Sequence, residues 1–164
     1  MELRLEKVFA CPGEWIDIDY ALNLGQTELY GTFPFQTPVC VKGKVQNRNG
    51  LVELTAHVDF TYSSLCDRCA TETNRDYSFD YSHTLVSFLN HEDNDELILV
   101  EDNLLDLDQL VLSDVLLSLP SKYLCKPDCA GVCPQCGQNL NRGSCDCDSG
   151  YVDPRLSVLG ELSK

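Results

Sequence analysis

Residues 125–147 read CKPDCAGVCPQCGQNLNRGSCDC, six cysteines in a stretch of 23 residues, and eight of the chain's ten cysteines fall into close pairs. The pairs are Cys66-x2-Cys69, Cys125-x3-Cys129, Cys133-x2-Cys136 and Cys145-x-Cys147. Two thiolates two residues apart can share one ion, because the intervening turn brings both sulfurs to the edge of one tetrahedron. Four pairs therefore supply two complete sets of four sulfur ligands. Gly137 directly follows Cys136, and its freedom at positive φ lets backbone amides turn toward the sulfurs. A four-thiolate site is coordinatively full, so two structural zinc ions are expected, holding chain together without activating water. Filling both moves the formal charge from -14 to about -18, since eight lost thiol protons outweigh two dications.

Spacing alone leaves the partition open. Cys133, Cys136, Cys145 and Cys147 suit a local ribbon on one ion, with Cys66, Cys69, Cys125 and Cys129 on the other. The competing partition joins Cys125, Cys129, Cys133 and Cys136, and leaves Cys66 and Cys69 to find Cys145 and Cys147. Redox chemistry fits less well, because Cys66 and Cys69 lie in SSLCDRCATET between two strands rather than at a helix start in a βαβ unit. Iron-sulfur clusters also take four cysteines, but the CPQCG turn reads more readily as structural zinc. Cys11 and Cys40 stand alone and are expected to be buried as small apolar residues.

Other catalytic signals are absent. His57, His83 and His91 have no motif around them, the carboxylates are unfocused, and no Gly-rich phosphate loop occurs, so neither an enzyme nor a small-molecule substrate is expected. The first residues, MELRLEKVFACPGEW, carry no uninterrupted apolar stretch and read as neither a secretory signal nor a presequence. No apolar run approaches membrane-spanning length. A cytoplasmic setting, where thiols stay reduced, is the expectation, and it favours metal over disulfides.

The elements that must hold these cysteines are legible from period. Between residues 14 and 89 the apolar residues alternate, as in Ile16, Ile18, Tyr20 and Leu22, in Val39, Val41 and Val45, in Val52 through Tyr62, and in Tyr77, Phe79 and Tyr81. Asn49-Gly50 marks a hairpin between two of these strands. From Asp106 the spacing becomes helical, with Asp106 as N-cap and Pro120 closing the helix. DPRLSVLGEL suggests a second short helix, capped by Asp153 with Pro154 at its first position. The fold class expected is α+β: mainly an antiparallel sheet or open barrel with one packed helix and a C-terminal zinc ribbon. A β-rich domain over 1–124 and a cysteine-rich tail over 125–164 follow.

Twelve basic residues stand against twenty-six acidic ones, so the molecule as a whole repels polyanions and favours basic partners. No acidic residue occurs between Leu29 and Val52, however, and Lys42, Lys44 and Arg48 lie in that window, with Arg68 and Arg75 on the neighbouring hairpin. These five residues give an otherwise acidic molecule one small, mildly basic patch.

CDRCA at 66–70, the helix running into LPSKYLC, DCAGVCPQCGQNLNRGSCDC and DPRLSVL together resemble the YceD family, in its subgroup with a C-terminal cysteine cluster. The resemblance implies a part in accumulation or maturation of large-subunit ribosomal RNA without catalysis. Partners are then ribosomal RNA of the large subunit, touched through the small basic patch, or a basic ribosomal protein or assembly factor bound by the acidic body.

Overall fold

The period-two alternation becomes one curled, open sheet. The computed structural model describes residues 1–88 and 97–147; the helix expected from Asp153 and Pro154 and the acidic run at 91–96 lie outside the described residues. In chain order the elements are β1 (Glu2–Arg4), α1 (Glu6–Ala10), β2 (Trp15–Leu22), β3 (Val39–Arg48), β4 (Leu51–Leu65), β5 (Glu72–Val86), β6 (Leu97–Leu99), β7 (Leu104–Asp106) and α2 (Leu107–Ser118). Strands β2-β3-β4-β5-β6 form the main sheet in that order, and β1 pairs with β7 in a separate two-stranded one. All pairings are antiparallel except β5 with β6. The fold is thus mostly strand, with one long helix packed on it.

Val41, Val45, Leu54, Val58 and Phe60 face the core, so their alternate neighbours face outward. Asn49 and Gly50 turn β3 into β4 at φ values of 56° and 96°, the positive pair that a type I′ hairpin needs. Asn47 is the one buried polar side chain among the described residues. Its Nδ2 donates to Val8 O at 2.7 Å and its Oδ1 accepts from Gly50 N at 2.8 Å, which fastens α1 to the hairpin turn.

Helix α2 starts where Asp106 Oδ1 accepts the N–H groups of Asp108 and Gln109, at 3.1 and 3.2 Å. It buries Leu107, Val111 and Val115 against the sheet, worth about 1.5–3 kcal/mol each. His83 Nε2 on β5 meets Asp114 Oδ2 on the helix at 2.8 Å. Tyr20 OH on β2 donates to Asp108 Oδ1 at 2.8 Å, and the amino group of Met1 pairs with the same carboxylate.

Burial, then the hydrogen bond and charge of Asp108, hold the Tyr20 phenol well above the usual tyrosine range. A group whose pKa is raised by folding contributes stability that is present below its unfolded value, about 10, and lost as pH climbs beyond it. Alkaline titration is expected to unfold the protein as Tyr20 ionises, and Tyr20→Phe to move that midpoint to higher pH. Phenolate absorbance followed beside circular dichroism checks this; an unmoved midpoint in the variant contradicts it.

Strands β4 and β5 run together for 15 residues each, far beyond the end of β3, carrying the Cys66–Cys69 turn away from the helix. Phe35, fully buried, packs its ring 5.6 Å from that of Phe60 and 5.5 Å from that of Tyr62. Tyr123, after the helix, stacks on Tyr62 at 5.1 Å. That aromatic row connects the core to the cysteine-rich tail. No helix among the described residues is long and apolar enough to cross a membrane.

Candidate metal centres

At the end of the β4–β5 hairpin the chain turns through Cys66-Asp67-Arg68-Cys69-Ala70. Cys66 N donates to Thr71 O and Ala70 N to Cys66 O, while Ala70 takes a positive φ of 53°. The turn is tied to the segment beyond α2. Asp67 N donates to Tyr123 O at 2.8 Å, Asp67 Oδ2 accepts from Tyr123 N at 2.6 Å, and Arg68 Nη1 donates to Cys129 O at 2.8 Å. Arg75 Nη2 donates to Leu124 O. Arg-to-carbonyl bonds of this kind are stronger than neutral ones, because the donor is charged.

These ties bring Cys66, Cys69, Cys125 and Cys129 together, the ligand atoms all lying within 4.8 Å of one another. Cys66 and Cys129 sulfurs are 3.8 Å apart, and those of Cys69 and Cys125 3.6 Å. A tetrahedron of sulfurs around zinc has an edge of about 3.8 Å, given a Zn–S length near 2.3 Å. The four residues therefore fit a tetrahedral thiophilic ion as they stand. Cys133, Cys136, Cys145 and Cys147 form a second group within the same 4.8 Å limit. The partition that would join Cys125 and Cys129 to Cys133 and Cys136 is not the one the chain adopts. We refer to the two groups as cage one and cage two.

Each cage contains a thiol prepared to lose its proton. Burial pushes the Cys66 thiol up, but the backbone N–H groups of Cys125, Arg68 and Cys69 together outweigh it and hold it down at about 6. In cage two the N–H groups of Cys136 and Gln135 and the Cys145 thiol hold Cys133 down at about 6 as well. Both are the first cysteine of a CxxC turn, where amides point at the sulfur. Their partners go the other way. Burial and three neighbouring sulfurs push Cys125 up to about 12, and the Cys136 thiol and burial do the same for Cys147. A dication would displace those held protons. Both cages are closed by four thiols, so an ion in either keeps no position for substrate.

Cage one is the more enclosed. Cys66, Cys69 and Cys129 are buried, whereas cage two has only Cys133 buried and Cys136 exposed. Cys11 and Cys40 are exposed, contrary to the expectation that both are buried. Cys40 shares the phase of Lys42 on β3, so strand alternation turns it outward despite its apolar character.

The basic residues do not form one surface. Lys42 and Lys44 lie on the outer face of the sheet, and Arg48 at its hairpin end makes a 3.7 Å ion pair with Glu53. Arg75 pairs with Tyr62 across the ladder and shares its inward phase, and Arg68 is engaged in cage one. The register also sets Asp19 beside Lys42 and Asp17 beside Lys44. Sequence reading missed those two partners, and it missed Asp67, Thr71, Asn139 and Asn141, whose only local signal is proximity to the cysteines.

The family whose description is "Large ribosomal RNA subunit accumulation protein YceD" matches residues 54–163. The chain is 27% identical to the uncharacterized protein YlbN of Bacillus subtilis over its whole length and 97% of that protein. It is 38% identical to an uncharacterized protein of Mycobacterium tuberculosis over 43% of this chain and 33% of that one. It is 25% identical to the large ribosomal RNA subunit accumulation protein YCED homolog 1, chloroplastic, of Arabidopsis thaliana, over 87% of this chain and 54% of that one. No solved structure matches.

Proposed function

The chain belongs to the YceD family, and from that premise we propose that it is a non-enzymatic assembly factor supporting large-subunit rRNA accumulation, receiving a basic ribosomal partner on the acidic outer face of its sheet. Two structural zinc ions in cages one and two complete the scaffold.

The observation that carries this reading is the charge of the outer face. Asp17, Asp19, Glu53, Asp59, Asp76 and Asp80 all fall on the outward phase of β2, β4 and β5. Lys42 and Lys44 share that face, but each has a carboxylate directly across the ladder, roughly 5 Å away between Cβ atoms. His57 lies between Asp59 at 3.3 Å and Asp80 at 2.7 Å. A hydrogen bond donated to Asp80 and the charge of Asp59 raise its pKa, so it too answers to carboxylates. RNA phosphates approaching this face would meet those carboxylates first, with little counterion release to gain. A lysine- or arginine-rich segment would meet complementary charge, which raises its rate of encounter and selects against polyanions.

The test is affinity purification of the full chain after nuclease treatment. A basic large-subunit ribosomal protein is expected to be retained without RNA, with binding that weakens as salt rises. Changing Asp59, Asp76 and Asp80 together to asparagine is expected to cut retention at least about tenfold, which is 1.4 kcal/mol. The reading fails if the Asp59, Asp76 and Asp80 change is silent while Lys42→Glu, Lys44→Glu and Arg48→Glu together abolish crosslinking to rRNA. Direct RNA contact through the basic residues would then be the mode of action.

A further inference from the structure

Cage one is completed by side chains that cage two carries. The loop between Cys136 and Cys145 turns back, so that Asn141 reaches a sulfur of the other cage and Asn139 reaches Thr71 beside it. Asn141 Nδ2 donates to Cys129 Sγ at 3.2 Å, and its Oδ1 accepts from Ala130 N at 3.0 Å. The reversed amide would set an oxygen against a thiolate and an N–H against an N–H, so chemistry selects this orientation. Cys69 Sγ as a thiol donates to Thr71 Oγ1 at 3.2 Å; once an ion has taken that proton, Asn139 Nδ2, which donates to the same oxygen at 3.3 Å, leaves the Thr71 hydroxyl proton for the thiolate. Asn139 Oδ1 accepts both Asn141 N at 3.0 Å and Asn141 Nδ2 at 2.9 Å, locking the two amides into one unit.

Two of the four sulfurs of cage one thus receive a donor from this loop or through it. The loop's own shape belongs to cage two. Cys133 N donates to Gln138 O, Gly137 N to Cys133 O, and Leu140 N to Gly131 O, while the four cysteines stand at its two ends. Gly131 packs where an added Cβ would lie 3.2 Å from Arg68 O, so the segment leading into cage two runs directly along the turn of cage one.

We propose that the 137–144 loop is the hydrogen-bonding shell of cage one, so that an ion in cage two strengthens the hold of cage one on its own ion. A dication with four thiolates carries a formal charge of −2, and each N–H or O–H donor relieves part of that charge and fixes the direction of a sulfur lone pair. An ion in cage two closes the loop ends and keeps Asn139 and Asn141 in place. By linkage the ion in cage one strengthens cage two by the same factor. The inference rests on both tetrads being metal cages. If that premise is wrong, the unaltered protein binds no ion; if only the coupling is wrong, it binds two and releases them independently.

The experiment uses the full chain loaded with cadmium, whose two sites give separate 113Cd resonances, assigned by the loss of one in Cys66→Ser. Asn141→Ala is expected to shift the cage-one resonance and to speed release of that ion to a chelator by about 10–100-fold, leaving the cage-two resonance in place. Opening cage two with Cys145→Ser and Cys147→Ser is expected to speed cage-one release by a similar factor. Combining the two changes is expected to do no more than either alone, since both act by one route. Should Asn141→Ala lose both ions, Asn139→Ala, which leaves the Ala130 amide capped, decides by the same readout. Cage-one release that is unchanged when cage two is opened, or effects that multiply in the combination, would overturn the proposal.

Discussion

Replacing Cys129 with serine is expected to lower bound metal from two ions per chain to one or fewer and to detach residues 124–147 from the sheet. The reason is what the tail lacks. Around cage one the buried cluster consists of Cys66, Cys69 and Cys129, with Leu124 and Cys125 beside them, and Val132 is exposed. A segment with so little apolar area to bury cannot offset the entropy of ordering itself, so it depends on a metal or a comparable crosslink. Apparent binding free energies of structural zinc run to about 10–16 kcal/mol in small peptides, far more than the hydrogen bonds of Asp67, Arg68 and Arg75 can replace. Limited trypsin digestion is expected to cut the variant after Lys122 and Arg142 while the hairpin around Lys42 and Lys44 stays protected. A variant that keeps two ions and the unaltered digestion pattern would show that sulfur ligation does not hold the tail.

Gly43→Ala is expected to destabilise the sheet by on the order of 3 kcal/mol, enough to lower the melting temperature by roughly 6–12 °C in a chain of this size. Gly43 stands between Ile18 of β2 and Ala56 of β4. A Cβ placed there would lie 2.0 Å from Thr55 O and 2.8 Å from Ala56 Cα, both backbone atoms that no side-chain rotation can move aside. The β3 and β4 backbones approach each other closely at this position. Only glycine permits two backbones this near each other within a ladder. Thermal unfolding followed by circular dichroism measures the loss; a melting temperature within 2 °C or so of the unaltered protein's would mean that the strands move apart at little cost.

Much of the scaffold is written in local spacing. The alternation through Val52 to Tyr62, the Asn49-Gly50 turn, the Asp106 cap and the closely spaced cysteines are each read within a dozen residues. The structure realises them because period, turn conformation and capping are local properties. The first fourteen residues were not readable in this way. β1 has three residues and α1 five, too short for a period, and β1 exists only because β7, about a hundred residues later, supplies its partner.

Residue types and spacing by themselves determined that this chain has a strand-rich body, one capped helix and eight thiols able to form two closed cages. Which thiols share a cage was decided by the tertiary structure, since Cys66 and Cys129 meet only when the helix has returned the chain to the hairpin tip. The same holds for charge. Arg68 and Arg75 look free in sequence, yet they are taken by carbonyl groups 61 and 49 residues away, and Lys42 and Lys44 are answered by Asp19 and Asp17 through strand register. Composition fixes how many charges and sulfurs exist, whereas an electrostatic field or a coordination sphere depends on distances of a few ångströms between remote residues, which only the folded chain sets.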